Sequence, residues 1–180
     1  MLGTQVTGSR LGIVGMGRVG QAFARLVRGL DMDLHYYNRR RLPAEQAYGA
    51  TYHESLDELL PQCEFLSLHC PATPETADLL NAERIARLPD RAIVVNTARG
   101  AIVDEAALIA ALRSGKLAAA GLDVFKNEPD IRPEFRDLSM VFLLPHLGSA
   151  TRQTRDAMGF RALDNLDAHF AGHPPRDRVA

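Results

Sequence analysis

Apolar residues follow two alternating patterns along this chain. Short runs of apolar and β-branched residues predict strands, and stretches with apolar residues three and four positions apart predict amphipathic helices. One such stripe is formed by Phe23, Leu26, Val27 and Leu30. The predicted strands are 11–14, 33–37, 50–52, 65–68, 92–95, one within 118–124, and 140–144. The predicted helices follow Gly20 and cover 44–48, 56–60, 81–88, 105–113 and 151–170.

Strands that alternate with helices predict an α/β fold, a doubly wound parallel sheet of the Rossmann type with about seven strands and helices on both faces. In such sheets ligands bind beyond the carboxyl ends of the strands. The chemically capable residues therefore belong to the loops that follow the strands. These loops are 15–20, 38–41, 69–76, 96–100, 123–128 and 145–149.

The first of these loops reads Gly15-Met16-Gly17-Arg18-Val19-Gly20, a G-x-G-x-x-G motif between a strand and a helix. Gly15 permits the tight turn, Gly17 lets a pyrophosphate approach the backbone, and Gly20 lets the helix pack closely on the strand. The helix start, with Arg18 and Val19, then faces the phosphates with free N–H groups. The motif predicts a dinucleotide site. FAD and S-adenosylmethionine proteins use related turns, and a glycine-rich turn without a ligand is the plainer alternative.

The end of the second predicted strand bears on the choice of cofactor. NAD-binding units place an acidic residue there to bind the ribose hydroxyls. Here that position, 18 residues after Gly20, is Asn38, and Arg39 and Arg40 follow it. A neutral amide beside two guanidinium groups suits a 2′-phosphate. The sequence therefore favours NADP(H) over NAD(H), although a solvated basic loop remains the alternative, above all for Arg41.

Composition narrows the choice of function class. The 180 residues are 46% hydrophobic and 24% charged, with a net charge of −1, as in an ordinary globular protein. Neither nucleic acid nor a membrane is expected as a partner. Cys63 and Cys70 form no C-x-x-C pair, so we expect a reducing, cytoplasmic setting and no metal site. We expect one dinucleotide-binding domain over 1–180, with 1–9 as a lead-in.

Five stretches resemble the cofactor-binding domain of the D-isomer-specific 2-hydroxyacid dehydrogenases, and they follow the order and spacing of that family. They are 11–20 (LGIVGMGRVG), 68–76 (LHCPATPET), 95–100 (VNTARG), 123–129 (DVFKNEP) and 144–151 (LPHLGSAT). The Asn-Arg-Arg variant is similar to the NADPH-preferring glyoxylate and hydroxypyruvate reductases of the family. The resemblance implies an NADPH-dependent oxidoreductase that reduces a small 2-keto acid to the D-2-hydroxy acid.

The resemblance also implies roles for individual residues. Arg99 would bind the carboxylate and carbonyl of the substrate, His146 would donate the proton, and Glu128 would pair with the histidine. Further cofactor contacts are implied for Pro71, Thr76, Thr97, Asp123 and Gly148. The chemistry agrees, because a histidine donates protons near neutral pH and a neighbouring carboxylate raises its pKa. The alternatives are a loop histidine with its hydrogen bonds satisfied for His146, a surface ion-pair partner for Arg99 and a turn residue for Glu128.

The chain departs from the family pattern at its front. Family members carry a substrate domain before the cofactor domain, and only ten residues precede the first predicted strand. We therefore expect the helix over 151–170 to expose the apolar face that would dock on that domain, and the arm of a possible homodimer to be missing. The chain is then either the cofactor-binding and catalytic half of a reductase, weakly active alone, or a non-catalytic NADP(H)-binding or interaction module. Intact Arg99, Glu128 and His146 favour the first.

Overall fold

A computed structural model describes residues 3–178. The chain divides into two compact units, Met1–Pro145 and His146–Ala180. The first unit holds the whole β-sheet and five α-helices, and the second holds one long helix.

The sheet of the first unit has seven strands in the order β3-β2-β1-β4-β5-β6-β7. The strands are β1 Arg10–Val14, β2 Asp33–Tyr37, β3 Thr51–His53, β4 Phe65–Leu68, β5 Ala92–Asn96, β6 Leu117–Leu122 and β7 Val141–Leu143. Every neighbouring pair is parallel. The order reverses at β1, which lies between β2 and β4, so the predicted doubly wound fold is confirmed.

The helices of this unit lie between the strands as expected. They are α1 Arg18–Val27, α2 Ala44–Ala47, α3 Leu56–Leu59, α4 Ala82–Arg87 and α5 Glu105–Arg113. Polar side chains fix the start of three of them, because Ser55, Asn81 and Asp104 accept backbone N–H groups from the first turns of α3, α4 and α5. The predicted loop 69–76 contains a short 3-10 turn, Pro74–Thr76, and another, Pro133–Asp137, lies between β6 and β7.

The sheet separates two apolar cores. Side chains alternate along β1, so that Leu11 and Ile13 belong to one core whereas Val14 belongs to the other. The core that contains Val14 also receives α3, α4 and α5, and the other receives α1 and α2. The helices thus cover both faces, as the alternating pattern predicts.

The predicted apolar stripe of α1 is wrong in part. Val27 is buried as predicted, but Leu26 and, in the 3-10 turn after the helix, Leu30 are exposed, and the helix buries Gly20 and Ala24 instead. The reason is the close approach at Gly20, where an added Cβ would lie 2.3 Å from the carbonyl oxygen of Gly15. A helix this close to its strand packs through its small residues, and the larger leucines turn outward.

The second unit consists of α6, Arg152–Phe170, and the segment that follows it. The segment bends back on the helix, because Asp177 accepts two hydrogen bonds from the Arg161 guanidinium and one from the Asn165 amide. The larger apolar side chains of α6 are exposed, as expected; they are Met158, Phe160, Leu163, Leu166 and Phe170. No helix within residues 3–178 combines the length and the apolar character needed to cross a membrane.

Candidate nucleotide-binding and catalytic site

The glycine-rich turn after β1 is packed tightly at two of its glycines and open at the third. A Cβ on Gly15 would lie 2.5 Å from the backbone nitrogen of Cys70, and Gly15 also has a left-handed φ of 94°. The contact at Gly20 is equally close. At Gly17 an added Cβ would meet no atom within 4 Å. Packing therefore explains two glycines, and the open space at Gly17 fits the predicted approach of a pyrophosphate.

The start of α1 has the features of an anion site. Gly17 caps the helix without a side-chain hydrogen bond, and the first turn contains no acidic residue. Arg18 and Val19 are exposed at this end. The first N–H groups of the helix and its positive dipole end are thus available to a phosphate.

The loop after β2 meets this turn directly. Asn38 accepts a hydrogen bond of 3.0 Å from the backbone N–H of Met16 through Oδ1. Its amide Nδ2, a donor, is the remaining polar group of the side chain. Arg39 and Arg40 follow and are exposed. The three residues predicted to select the cofactor therefore lie beside the glycine-rich turn.

The loop after β4 is closed by its own hydroxyl groups. Thr76 donates to the carbonyl oxygen of Pro71 at 2.7 Å and accepts from the N–H of Thr73 at 2.8 Å. At the start of the loop, His69 packs on the ring of Phe23, with centroids 4.9 Å apart, and pairs with the Ser67 hydroxyl at 2.9 Å. Burial lowers the pKa of His69 to about 4, so the imidazole is neutral at physiological pH.

The loop after β5 carries Arg99 on a turn fixed by Asn96. The amide of Asn96, buried at 1% exposure, donates to the carbonyl oxygen of Arg99 at 3.0 Å and accepts from the N–H of Ala98 at 3.1 Å. The Arg99 side chain is exposed and donates to the Ala98 carbonyl, and Thr97 is exposed beside it. The turn thus directs a guanidinium group to the edge of the sheet.

The loop after β6 packs against this turn. An added Cβ on Gly100 would lie 1.9 Å from the carbonyl carbon of Phe125, so the two backbones are in direct contact. Glu128 accepts the N–H of Phe125 at 2.8 Å through Oε1, and a cis peptide bond joins it to Pro129. Asp123, at the start of the loop, is buried and bonded through its N–H to the Asn96 carbonyl. The loops that carry Arg99 and Glu128 are therefore neighbours.

Two residues that hold this region were not predicted. Glu105, buried at the start of α5, accepts the N–H of Lys126 at 2.9 Å. The Lys126 ammonium group in turn pairs with Asp78, from the loop after β4. No local signal distinguishes Glu105 from an ordinary acidic residue in a first helical turn.

His146 and Gly148 belong to the second unit. Both are exposed, and His146 has a left-handed φ of 55°. Their predicted roles stay predictions, as do those of the other site residues.

The described part of the chain, residues 3–178, contains no group of three or more His, Cys, Asp or Glu side chains that could hold a metal ion. The sheet topology, the switch at β1 and the glycine-rich turn define a dinucleotide-binding domain.

Comparison with known proteins defines the domain further. The family model for the NAD binding domain of D-isomer specific 2-hydroxyacid dehydrogenases matches residues 1–148. The chain therefore belongs to the D-isomer specific 2-hydroxyacid dehydrogenase family and carries its NAD-binding domain.

Individual relatives agree with this assignment. The chain is 47% identical over 174 residues to the glycerate dehydrogenase of Hyphomicrobium methylovorum, which covers 96% of this chain and 54% of the relative. It is 44% identical to the glyoxylate reductase of Thermococcus litoralis, with 99% of this chain and 54% of the relative covered. The solved structure of an NADPH-dependent glyoxylate/hydroxypyruvate reductase from Sinorhizobium meliloti superposes with a TM-score of 0.90 at 36% identity, over 96% of this chain and 54% of that one. The chain thus spans about half the length of the relatives it matches.

Proposed function

We propose that this chain is the cofactor-binding and catalytic half of an NADPH-dependent reductase, which converts a small 2-keto acid of the glyoxylate or hydroxypyruvate type into the D-2-hydroxy acid. The observation that carries the proposal is the contact between Gly100 and Phe125. It brings the loop with Arg99 against the loop with Glu128, at the sheet edge where the glycine-rich turn also lies.

Arg99 binds the substrate in this proposal. Its guanidinium group offers two parallel donors to the carboxylate of a 2-keto acid and stabilises the negative charge that develops on the carbonyl oxygen. Asn96 supports this role, since both of its polar atoms hold the turn on which Arg99 stands. The cofactor, when bound, supplies the hydride.

His146 donates the proton to the carbonyl oxygen, and Glu128 favours the protonated form of the imidazole. The carboxylate of Glu128 accepts a hydrogen bond from the N–H of Phe125. Replacement of Glu128 by glutamine keeps an acceptor for the N–H of Phe125 but removes the carboxylate charge, and should therefore lower the rate.

The preference for NADP(H) rests on Asn38, Arg39 and Arg40. A carboxylate at position 38 would repel a 2′-phosphate, whereas the amide and two exposed guanidinium groups attract one. The S. meliloti relative is NADPH-dependent by name, which supports the same choice. The remaining cofactor contacts fall to Gly15, Gly17, Arg18, Val19, Gly20, Pro71, Thr76, Thr97, Asp123 and Gly148.

The exposed apolar face of α6 is where a substrate domain would pack, since large apolar side chains such as Phe160 and Leu163 rarely stay in water together. A homodimer is part of the same proposal. We expect the reaction in the cytoplasm, because Cys63 and Cys70 are both free thiols.

The first test is a calorimetric titration of the chain with NADPH and with NADH. We expect tighter binding of NADPH, and a gap that closes in the Arg39→Ala, Arg40→Ala double variant. Tighter binding of NADH would overturn the cofactor preference and leave the dehydrogenase assignment intact.

The second test measures the oxidation of NADPH in the presence of glyoxylate or hydroxypyruvate. Arg99→Met should lower kcat/KM by roughly 100-fold or more. Arg91→Met is the matched control, because Arg91 precedes β5 at the opposite edge of the sheet. A residual turnover that Arg99→Met leaves unchanged would favour the alternative of a non-catalytic module.

A further inference from the structure

Two tyrosines hold the loop that leads from β2 to α2. Tyr36 and Tyr52 are paired in register on β2 and β3, so both side chains lie on the same face of the sheet. Their ring centroids are 5.3 Å apart and the rings are tilted by 50°. Tyr36 is 1% exposed and Tyr52 is partly buried. The pair thus forms a fixed aromatic support below residues 38–42.

The hydroxyl groups of this pair contact the loop at its two ends. Tyr36 accepts a hydrogen bond of 3.0 Å from the backbone N–H of Leu42. Tyr52 donates to the carbonyl oxygen of Asn38 at 3.4 Å. The three arginines lie between these two points, so the course of the basic segment is set by side chains of the sheet.

The arginines do not share one environment. The guanidinium carbon of Arg41 lies 5.8 Å from the centroid of the Tyr52 ring, within the range of a cation–π contact. Arg39 is exposed. The pKa of Glu75, in the loop after β4, is lowered mainly by a hydrogen bond with Thr73, and the charge of Arg39 is the smallest of the contributing causes. Arg41 therefore has the Tyr52 ring as a neighbour, and this contact distinguishes it within the basic segment.

We propose that Tyr36 and Tyr52 are positioning residues for nucleotide specificity, and that Arg41 belongs to the clamp that they form and is not a ligand of the 2′-phosphate. The proposal rests on the NADP(H) preference proposed above. A loop whose ends are already fixed loses less conformational freedom when it binds, so the clamp favours binding through Arg39 and Arg40. NADH lacks the 2′-phosphate, so the binding of NADH gains little from the clamp.

The test measures the preference ratio, Kd for NADH divided by Kd for NADPH, by calorimetry. In Tyr36→Phe the N–H of Leu42 loses its partner, and we expect the ratio to fall about three- to tenfold, through weaker binding of NADPH. Tyr52→Phe should lower it less, because its hydrogen bond is longer. The matched control is Tyr37→Phe, since Tyr37 is the next residue of β2 and packs in the opposite core. A preference ratio that stays unchanged in both Tyr36→Phe and Tyr52→Phe would overturn the proposal.

The role of Arg41 is tested by Arg41→Ala, Tyr52→Leu and the double variant. If Arg41 acts through the Tyr52 ring, the double variant should lower the ratio no more than the stronger single variant does. If Arg41 binds the phosphate itself, the two effects should multiply, and the loss from Arg41→Ala should shrink as salt rises. That result would overturn the assignment of Arg41.

Amide hydrogen exchange at Leu42 tests the clamp without any nucleotide. Tyr36→Phe should speed exchange at this amide at least several-fold, whereas Tyr37→Phe should not. If the wild-type chain bound both nucleotides equally, the NADP(H) preference would be wrong, and faster exchange at Leu42 would still support the clamp. Unchanged exchange at Leu42 would show that the clamp does not hold the loop.

Discussion

The amide oxygen of Asn38 accepts a hydrogen bond of 3.0 Å from the backbone N–H of Met16. Asn38, directly after β2, therefore holds the glycine-rich turn, and it is also the residue that we predict to lie beside the 2′-phosphate. A substitution at this position acts on two properties, the geometry of the turn and the charge beside the ribose, and the two can be separated by the choice of side chain.

Asn38→Asp keeps an acceptor for the N–H of Met16 and adds a negative charge. We expect NADPH to bind about tenfold more weakly or worse, a loss of ~1.4 kcal/mol or more. NADH should bind as before or more tightly, because a carboxylate suits free ribose hydroxyls. Asn38→Ala serves as the control: it removes the hydrogen bond to Met16 and should weaken both nucleotides. Equal weakening of both in Asn38→Asp would argue against selection at this position.

Gly17→Ala separates cofactor binding from folding. The added Cβ meets no atom within 4 Å, and the φ of −76° suits any residue. Gly17 is the N-cap of α1, where alanine is less favourable than glycine, so the free energy of unfolding should fall by only about 1 kcal/mol or less. The methyl group would occupy the space of the pyrophosphate, and we expect both nucleotides to bind roughly tenfold more weakly or worse. Calorimetry and urea unfolding measure the two quantities. Undiminished binding would mean that the phosphates lie elsewhere.

Gly100→Ala tests the contact between the loops of Arg99 and Glu128. A Cβ placed 1.9 Å from the carbonyl carbon of Phe125 forces the two backbones apart, and we expect a loss of roughly 3 kcal/mol or more in stability. The matched control is Gly159→Ala in α6, where the Cβ meets open space. This variant should stabilise the helix by about 0.5–1 kcal/mol, because alanine favours helix interiors over glycine. Similar melting curves for the two variants would contradict the packing described.

Acid should destabilise the first unit through His69. Burial lowers the pKa of His69 to about 4, so the unfolded chain, with the ordinary value of 6.5, binds this proton more tightly than the folded chain. The contribution of the neutral His69 imidazole to the free energy of unfolding is complete above pH 6.5. It falls between pH 6.5 and 4 and stays lost below pH 4, a change on the order of 2–3 kcal/mol.

Urea unfolding of the wild type and of His69→Gln at pH 7 and pH 4.5 measures the contribution of His69 to the free energy of unfolding. The wild type should lose more stability than the variant over this interval, and the difference isolates His69 from His53, whose pKa is also lowered by burial. Equal losses in the two proteins would mean that His69 titrates normally.

Much of the fold was predictable because its signals are local. The strand β2, Asp33–Tyr37, and the helix α5, Glu105–Arg113, were predicted with their final bounds. The parallel order then followed, since strands joined through helices pair in this way. The family was also recognisable, because its motifs lie in loops whose residue types are fixed by phosphate binding and backbone approach.

Other features depended on contacts between distant segments. Periodicity placed Leu26 and Leu30 inside, but the distance between α1 and β1 is decided by Gly20, and this distance turned both leucines outward. Glu105 and Lys126 are 21 residues apart, and their hydrogen bond exists only because the loop after β6 passes the start of α5.

The sequence by itself therefore determined the architecture, the glycine-rich turn and the loops that hold the candidate site, because each of these depends on residues close together in the chain. Only the tertiary structure decided how the arginines of loop 38–42 differ. Arg39 and Arg41 are equivalent in the sequence, and it is the ring of Tyr52, brought alongside by the pairing of β2 with β3, that gives Arg41 a separate environment. The charge of an arginine is a property of the residue, but the environment of its guanidinium group is set by the side chains that the fold places beside it.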